Sequence, residues 1–169
     1  MWVRQVNILC VAVLMPCVLI GCSNTFQEPG RYYDRSKGFS IKFPDGWEKI
    51  KSPMIGVIIR FGDPESTAEI GVQIQKISPQ KTVALADLIT YVESTFQGRN
   101  VEIIDRGETV IDDTDAYWFF IRSGAEKGTT YYIIKEDRIY AVMCLVMAND
   151  FSDDLEYTMR EAAKSFRFE

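Results

Sequence analysis

The segment Ile139-Tyr-Ala-Val-Met-Cys-Leu-Val-Met147 decides the fold, because it is apolar at odd and even positions alike. Side chains of a strand alternate between the two faces of a sheet, so this pattern predicts a strand that is buried on both faces. Tyr117-Trp-Phe-Phe-Ile121 has nearly the same pattern. Both segments therefore require a layer of structure on each side of their sheet.

Two segments with helical periodicity can provide those layers. In residues 82–97 the apolar side chains fall on one stripe, formed by Leu85, Leu88, Ile89, Val92 and Phe96. Thr82 is predicted as the N-cap of this helix and Gly98 as the residue that follows its last turn. Residues 152–166 form a second amphipathic pattern, with Asp150 or Ser152 as the N-cap. Each helix has one apolar side and can cover one face.

Shorter segments with period-2 alternation predict the rest of the sheet. They are residues 39–43, 54–61, 69–77, 101–111 and 129–135. Strands and helices do not alternate along the chain, which argues against a parallel doubly wound sheet. We therefore predict an α/β (α+β) fold, an α/β/α sandwich with a central antiparallel sheet of about six to seven strands and helices on both faces.

Composition limits the chemistry that this chain of 169 residues can perform. It contains no histidine and has a formal net charge of -5. Ser-His-Asp and Cys-His catalytic sites and histidine-containing zinc sites are thereby excluded. An acidic chain also lacks the basic stripe that neutralises nucleic-acid phosphates. We expect no enzyme activity, no cofactor, no metal and no nucleic-acid partner.

The N-terminus has the pattern of an export signal. Residues 8–20 form a run of 13 residues, apolar apart from cysteine and proline, which is too short for the roughly 20 residues of a membrane-spanning helix. The following Leu19-Ile20-Gly21-Cys22 resembles the lipobox of bacterial lipoproteins. Cys17 is a poorer candidate because Pro16 precedes it. An uncleaved membrane anchor and an ordinary secreted protein remain the alternatives.

The lipobox resemblance implies cleavage between Gly21 and Cys22, a diacylglycerol on the Cys22 sulfur, and acylation of the new amine with a fatty acid such as palmitate. Two or three acyl chains hold a protein on a membrane durably, whereas one does not. The expected organisation is a signal peptide over 1–21, a tether over 22–31 and a single domain over 32–169. The expected location is the cell envelope, at the outer membrane facing the periplasm in a Gram-negative host. The partners are then the membrane, through the lipid on Cys22, and an unidentified envelope protein.

Several segments of the domain resemble the PsbP-like superfamily. They are Gly38-Phe-Ser-Ile-Lys-Phe-Pro-Asp-Gly-Trp47, the helix at 82–97, the hairpin Tyr131-Tyr-Ile-Ile-Lys-Glu-Asp-Arg-Ile-Tyr140 and the closing Ser165-Phe166. This group includes the extrinsic PsbP subunit of photosystem II, lipoprotein relatives in cyanobacteria and DcrB-like bacterial envelope proteins. The resemblance covers nearly all of residues 32–168 and implies an α/β/α sandwich on an antiparallel sheet.

What the resemblance implies about function is less specific. PsbP proteins bind the lumenal face of photosystem II, and the plant members use basic and histidine residues. This chain has no histidine and is acidic. We therefore expect a non-catalytic, membrane-tethered accessory or binding module of the envelope. One alternative is a PsbP-type photosystem II accessory protein; the second is a small-ligand carrier or an unrecognised enzyme.

Four features within the domain could carry a function: Trp47 as a binding surface, Cys144 as a nucleophile, an acidic cluster as a cation site and residues 124–128 as a phosphate-binding loop. Each of them also has a structural interpretation. Trp47 is predicted to pack under the Pro44-Asp-Gly46 turn, and Cys144 is predicted to be a buried, inert thiol. The acidic cluster of Asp112, Asp113 and Asp115, with Glu108 nearby, could bind a hard cation or form a solvated turn. Residues 124–128 are predicted to form a hairpin loop.

Overall fold

The computed structural model describes residues 28–51 and 56–169. In these two ranges the chain forms ten strands and two helices. In chain order they are β1 (Arg31–Asp34), β2 (Phe39–Lys42), β3 (Glu48–Lys49), β4 (Val57–Gly62), β5 (Glu69–Lys76), α1 (Leu85–Gly98), β6 (Glu102–Ile111), β7 (Thr114–Ser123), β8 (Glu126–Lys135), β9 (Arg138–Met147), α2 (Asp153–Lys164) and β10 (Arg167–Phe168).

The central sheet has seven strands in the order β3-β4-β5-β9-β8-β7-β6, and its neighbouring strands are antiparallel. This confirms the predicted antiparallel sheet and its strand number. A second sheet, in the order β1-β2-β10, was not predicted. The strand predicted at 39–43 lies in this second sheet rather than in the central one. β1, β3 and β10 have two to four residues, too few to produce a recognisable alternation.

Helix α1 covers one face of the central sheet. Its buried Leu88 and Val92 pack with Phe119 and Ile121 of β7 in the smaller of two hydrophobic clusters. Phe96 meets Phe119 edge to face at a centroid distance of 5.5 Å. The apolar stripe predicted for this helix is therefore its packing surface.

Helix α2 and the second sheet cover the opposite face. Met159, Ala162 and Ala163 of α2 join the larger cluster with Phe39 of β2 and alternate residues of β9. Tyr140, Val142, Cys144 and Val146 are the members from β9, whereas Ile139 packs in the cluster under α1. Strand β9 is thus buried on both faces, as its sequence predicts, and the α/β/α sandwich is confirmed.

The helix ends match the sequence pattern only in part. Ser152 is the N-cap of α2, and its Oγ accepts a hydrogen bond from the Leu155 N–H at 3.2 Å. The N-cap of α1 is Ala84 without a side-chain hydrogen bond, so the prediction for Thr82 was wrong. Gly98 is the last residue of α1, and the left-handed backbone follows at Asn100, with a φ of 55°. Over the described ranges, neither helix has the length and apolar character needed to cross a membrane.

A buried arginine joins the first strand to the end of the chain. The Arg31 side chain is 3% exposed, and its Nε donates to the Glu28 carboxylate at 2.8 Å. One Nη donates to the Ser165 carbonyl at 2.8 Å and to the Ser40 hydroxyl at 3.2 Å. Because buried charges require polar partners, these contacts hold the start of the domain against the end of α2.

Strands β8 and β9 leave no room for a side chain at Gly128, which pairs with Leu145. A Cβ atom at position 128 would lie 1.9 Å from the Cys144 carbonyl oxygen and 2.9 Å from the Leu145 Cα. No side chain fits between backbones at that distance. The glycine is therefore required by the packing of the two central strands.

Candidate functional site

Helix α2 leaves part of its sheet face open beside the edge strand β6. The open region is a cleft of about 270 Å³, which we name the Trp118 cleft. Its floor consists of residues from β6, β7 and β8, namely Thr109, Trp118, Phe120, Thr129 and Tyr131. Its rim consists of Asp105 from β6 and Glu156, Arg160 and Lys164 from α2. Aromatic floors with a few surrounding polar groups are typical of binding sites.

Gly107 determines how Trp118 lies in this cleft. The two residues are opposite each other in the β6–β7 pair. A Cβ at position 107 would lie 3.1 Å from the indole Nε1 and Cζ2 atoms. The missing side chain therefore allows the indole ring to lie close over strand β6. Trp118 also packs, while partly buried, against the larger hydrophobic cluster.

The charged residues of the rim balance one another. Arg160 forms an i,i+4 ion pair with Glu156, and Lys164 lies 3.3 Å from the Glu161 carboxylate. The two cationic and two acidic residues of the rim have formal charges that cancel. The Arg160 Nε is buried and has no hydrogen-bond partner among the described residues. The balanced charge of the rim favours neither a strongly anionic nor a strongly cationic partner.

The phenol of Tyr131 stays protonated in this setting. Burial raises its pKa well above the ordinary value, because the ionised form would lose its hydration. A protonated phenol both donates and accepts hydrogen bonds. Tyr131 is 4% exposed and lies at the bottom of the cleft. In residues 28–51 and 56–169, no group of three or more His, Cys, Asp or Glu side chains could hold a metal ion.

Other depressions lie elsewhere on the described surface. One, with a volume of about 390 Å³, separates α2 from the chain that leaves β2, and we name it the β2–α2 cleft. Another, of about 350 Å³, lies beside Leu85 of α1 and is bordered by Glu108 and Asp115. A further one, also of about 350 Å³, lies beside α1 above β5 and β9. Tyr91 of α1 lines this last groove and is 68% exposed.

The residues predicted from sequence have different outcomes. Gly21 and Cys22, the predicted cleavage and lipidation site, lie outside the described residues. Trp47 is partly buried against the larger cluster, and its backbone N–H donates to the Pro44 carbonyl at 3.2 Å, so the packing prediction is confirmed. Cys144 is 1% exposed, and its S–H contacts the Met159 carbonyl at 3.4 Å. The predicted burial of Cys144 is therefore confirmed, and that burial raises the pKa of the thiol.

Two members of the acidic cluster, Asp112 and Asp113, form the turn between β6 and β7, whereas Asp115 lies within β7 opposite Val110. Asp112 and Asp113 have φ values of 48° and 55°, the left-handed pair expected of a tight hairpin turn. The Asp112 carboxylate accepts a hydrogen bond from the Phe168 N–H at 2.9 Å. The turn interpretation is therefore confirmed, with an added structural role for Asp112. Glu108 lies within β6, opposite Tyr117.

The predicted loop at 124–128 is shorter in the structure. Only Gly124 and Ala125 form the turn, because β8 already begins at Glu126.

The sequence did not predict Trp118 and Gly107 as site residues. The sequence signal that could have identified this site is Gly107 itself, because a glycine inside an otherwise regular strand marks a close approach of another group or a bulge. Its partner across the sheet becomes known only with the strand register.

The sequence matches no protein-family model, and no curated protein matches it. Solved structures do match. The solution structure of cyanobacterial PsbP (CyanoP) from Synechocystis superposes with a TM-score of 0.64 at 17% identity, covering 89% of this chain and 99% of that chain. LpqN, which is involved in cell envelope biogenesis of Mycobacterium tuberculosis, gives a TM-score of 0.53 at 12% identity and covers 84% of this chain and 86% of its own.

A Pseudomonas aeruginosa protein of unknown function gives a TM-score of 0.52 at 14% identity, with 80% of this chain and 93% of that chain covered. These identities are low, so the similarity concerns the fold. The chain has a PsbP-like fold: a seven-stranded antiparallel sheet, two helices and a second small sheet. This agrees with the resemblance recognised in the sequence.

Proposed function

We propose that this protein is a non-catalytic accessory or binding module of a bacterial cell envelope, held on the membrane by lipid on Cys22. The Trp118 cleft carries the proposal, because it combines an aromatic floor with a charge-balanced polar rim. Such a surface binds a partner through contact area and hydrogen bonds. The partner in this proposal is another envelope component.

Two further observations support this function. The Leu19-Ile20-Gly21-Cys22 segment resembles a lipobox, which would place the domain outside the cytoplasm. Among the proteins of similar fold, LpqN is involved in cell envelope biogenesis. The fold is therefore already used by an envelope protein, although the low identity transfers no partner.

The anchor is tested by fatty-acid labelling in a bacterial host. We expect labelling and membrane fractionation of the unaltered chain, and loss of both in Cys22→Ala. Cys17→Ala is the matched control, because it removes the other cysteine near the cleavage region and should retain the label. Labelling that persists in Cys22→Ala would refute attachment at this residue.

The binding surface is tested by reversible crosslinking in intact cells, followed by purification of the lipidated chain. We expect one envelope component to be captured by the unaltered chain and lost from Trp118→Ala. Tyr91→Ala is the control, since it removes an exposed aromatic from α1 on the other face. Circular dichroism establishes that both variants are folded. Equal capture by both would exclude the Trp118 cleft, and capture of a small molecule would favour the ligand-carrier alternative.

A photosystem II accessory role is the second candidate. It is favoured by the match to cyanobacterial PsbP, which covers 99% of that chain at a TM-score of 0.64. Purification of thylakoid complexes from the native host tests it. Co-purification with photosystem II would support this role, and a host without photosynthesis would exclude it.

A further inference from the structure

The central sheet ends in two edge strands of very different length. β3 has two residues, whereas β6 has ten. Among the described residues, no further strand pairs with the outer side of β6. An open edge of this length presents a row of backbone N–H and C=O groups with which another extended chain can pair.

The turn after β6 determines which backbone groups of this strand are free. Ile111 is the first residue of the pair that closes the two-residue turn to β7, and the closing pair of such a turn is hydrogen-bonded. Bonded and non-bonded pairs alternate along antiparallel strands, so the backbone groups of Arg106, Glu108 and Val110 point outward. The Arg106 N–H accordingly donates to the Asp105 carboxylate at 2.8 Å. An incoming strand would replace that local contact.

The charges of this edge are self-complementary in one antiparallel register. Arg106 and Glu108 are both exposed and lie two positions apart. When two copies of β6 pair around a two-fold axis through Gly107, each arginine lies opposite the partner's Glu108. Moving the axis by one residue places either Arg106 or Glu108 opposite itself, and like charges directly opposite each other destabilise a strand pair. Charge therefore selects the register centred on Gly107.

The same register brings exposed apolar side chains together. Ile104 is 40% exposed and Val110 is 60% exposed, and each would lie near the other residue of the partner. Covering them removes apolar surface from water. Ile104 is the extra residue of a bulge in the β6–β7 pair, so the pairing is regular from Asp105 to the turn.

We propose that two copies of this chain join edge to edge through β6, antiparallel and centred on Gly107, to form one continuous sheet. Two ion pairs between Arg106 and the partner's Glu108 then flank the axis. Arg106 also forms an ion pair with Glu93 of α1, and its guanidinium has enough N–H donors for both carboxylates. The inference goes beyond the proposed function, because self-association requires neither lipid nor another envelope component.

The pairing also affects the Trp118 cleft. Asp105 and Thr109 line this cleft, and in the proposed register each lies opposite the other residue of the partner. The clefts of the two copies therefore become neighbours on one face of the joined sheet. A partner bound in one cleft would then lie beside the second cleft.

A disulfide experiment on the full-length chain in intact bacterial cells tests the register. In the variant Asp105→Cys, Thr109→Cys the two cysteines of different copies would form a non-hydrogen-bonded pair, with Cα atoms about 4.5 Å apart. Within one chain the same positions are about 13 Å apart, too far for a disulfide. Under mild oxidation we expect a covalent dimer from the double variant and roughly tenfold less from either single variant. Mass spectrometry should identify the disulfide between positions 105 and 109.

Reversal of one charge tests the complementarity. Glu108→Arg, added to the double cysteine variant, places arginines opposite each other and should lower the yield of dimer roughly tenfold. Glu65→Arg is the matched control, because it changes the net charge equally at an exposed position away from β6. Adding Arg106→Glu together with Glu93→Gln to the Glu108→Arg chain restores opposite charges across the axis and should restore the dimer. Circular dichroism establishes that each variant is folded.

Three results would overturn the proposal: no disulfide between positions 105 and 109, equal dimer from the single variants, or the same yield with Glu108→Arg as with Glu65→Arg. A strand from a different protein on this edge would give the first of these results. The proposed function fails separately. Capture of an envelope component without the disulfide refutes self-association alone, and the disulfide without such capture refutes the proposed function alone.

Discussion

Gly128→Ala probes the close approach of two central strands, β8 and β9. The new Cβ would lie 1.9 Å from the Cys144 carbonyl oxygen, whereas real Cβ atoms essentially never come within 3.0 Å of such a neighbour. β8 and β9 would have to move apart by about 1 Å, and neighbouring strands are normally about 4.8 Å apart. Because both strands are packed between two layers, the chain cannot relax by moving into solvent.

The expected loss of stability follows from that displacement. Overpacking of a dense core costs about 1 to 3 kcal/mol. Each buried backbone group that loses its hydrogen bond adds about 1 to 3 kcal/mol. Gly128→Ala should therefore destabilise the domain by roughly 3 to 5 kcal/mol, a large share of the about 5 to 15 kcal/mol that holds a typical domain folded.

Urea denaturation followed by circular dichroism measures this loss. Gly98→Ala is the matched control, because a Cβ at position 98 meets no atom within 4 Å. Gly98 lies at the end of α1, where replacing glycine by alanine should stabilise the helix by up to about 1 kcal/mol. The two variants should therefore shift the midpoint in opposite directions. A Gly128→Ala free energy of unfolding within about 1 kcal/mol of the unaltered chain would refute the close approach of β8 and β9.

Three further predictions concern the ends of the domain and its thiol. Arg31→Met should cost roughly 2 to 3 kcal/mol in urea denaturation, because the partly buried Ser165 carbonyl loses a charge-assisted hydrogen bond; the exposed Arg167→Met should cost little, and equal costs would contradict this role. The hydrogen bond from Arg31 lowers the pKa of Glu28 from its ordinary value of 4.5, so its stabilising contribution is complete above that pH and is lost as the pH falls through the lowered pKa. Glu28→Gln should weaken the acid dependence of the urea midpoint, and an unchanged profile would argue against the pairing. The Cys144 thiol should react with a maleimide at a pH of about 8 only as fast as the native chain unfolds, and rapid labelling of the folded protein would contradict its burial.

The features that the sequence alone predicts all depend on short segments. Strand β9 is apolar at odd and even positions alike, which predicts burial on both faces, because strand geometry alone sets which side chains share a face. The same reasoning locates the packing stripes of α1 and α2. Asp112 and Asp113 mark a turn because their backbone preferences are local. The lipobox at Cys22 is likewise a local motif, which is why it predicts a location without reference to the fold.

The second sheet and the clefts depend on residues that are distant in the chain. Arg31 meets a carbonyl 134 residues away, so neither segment by itself indicates the contact. The indole of Trp118 lies over Gly107 only because the β6–β7 register places them opposite each other. The short-range pattern of apolar residues thus determined the layers of this domain. Strand register and long-range packing decided where its surface opens into a cleft, because the pairing of residues across strands is set by folding and not by their spacing in the sequence.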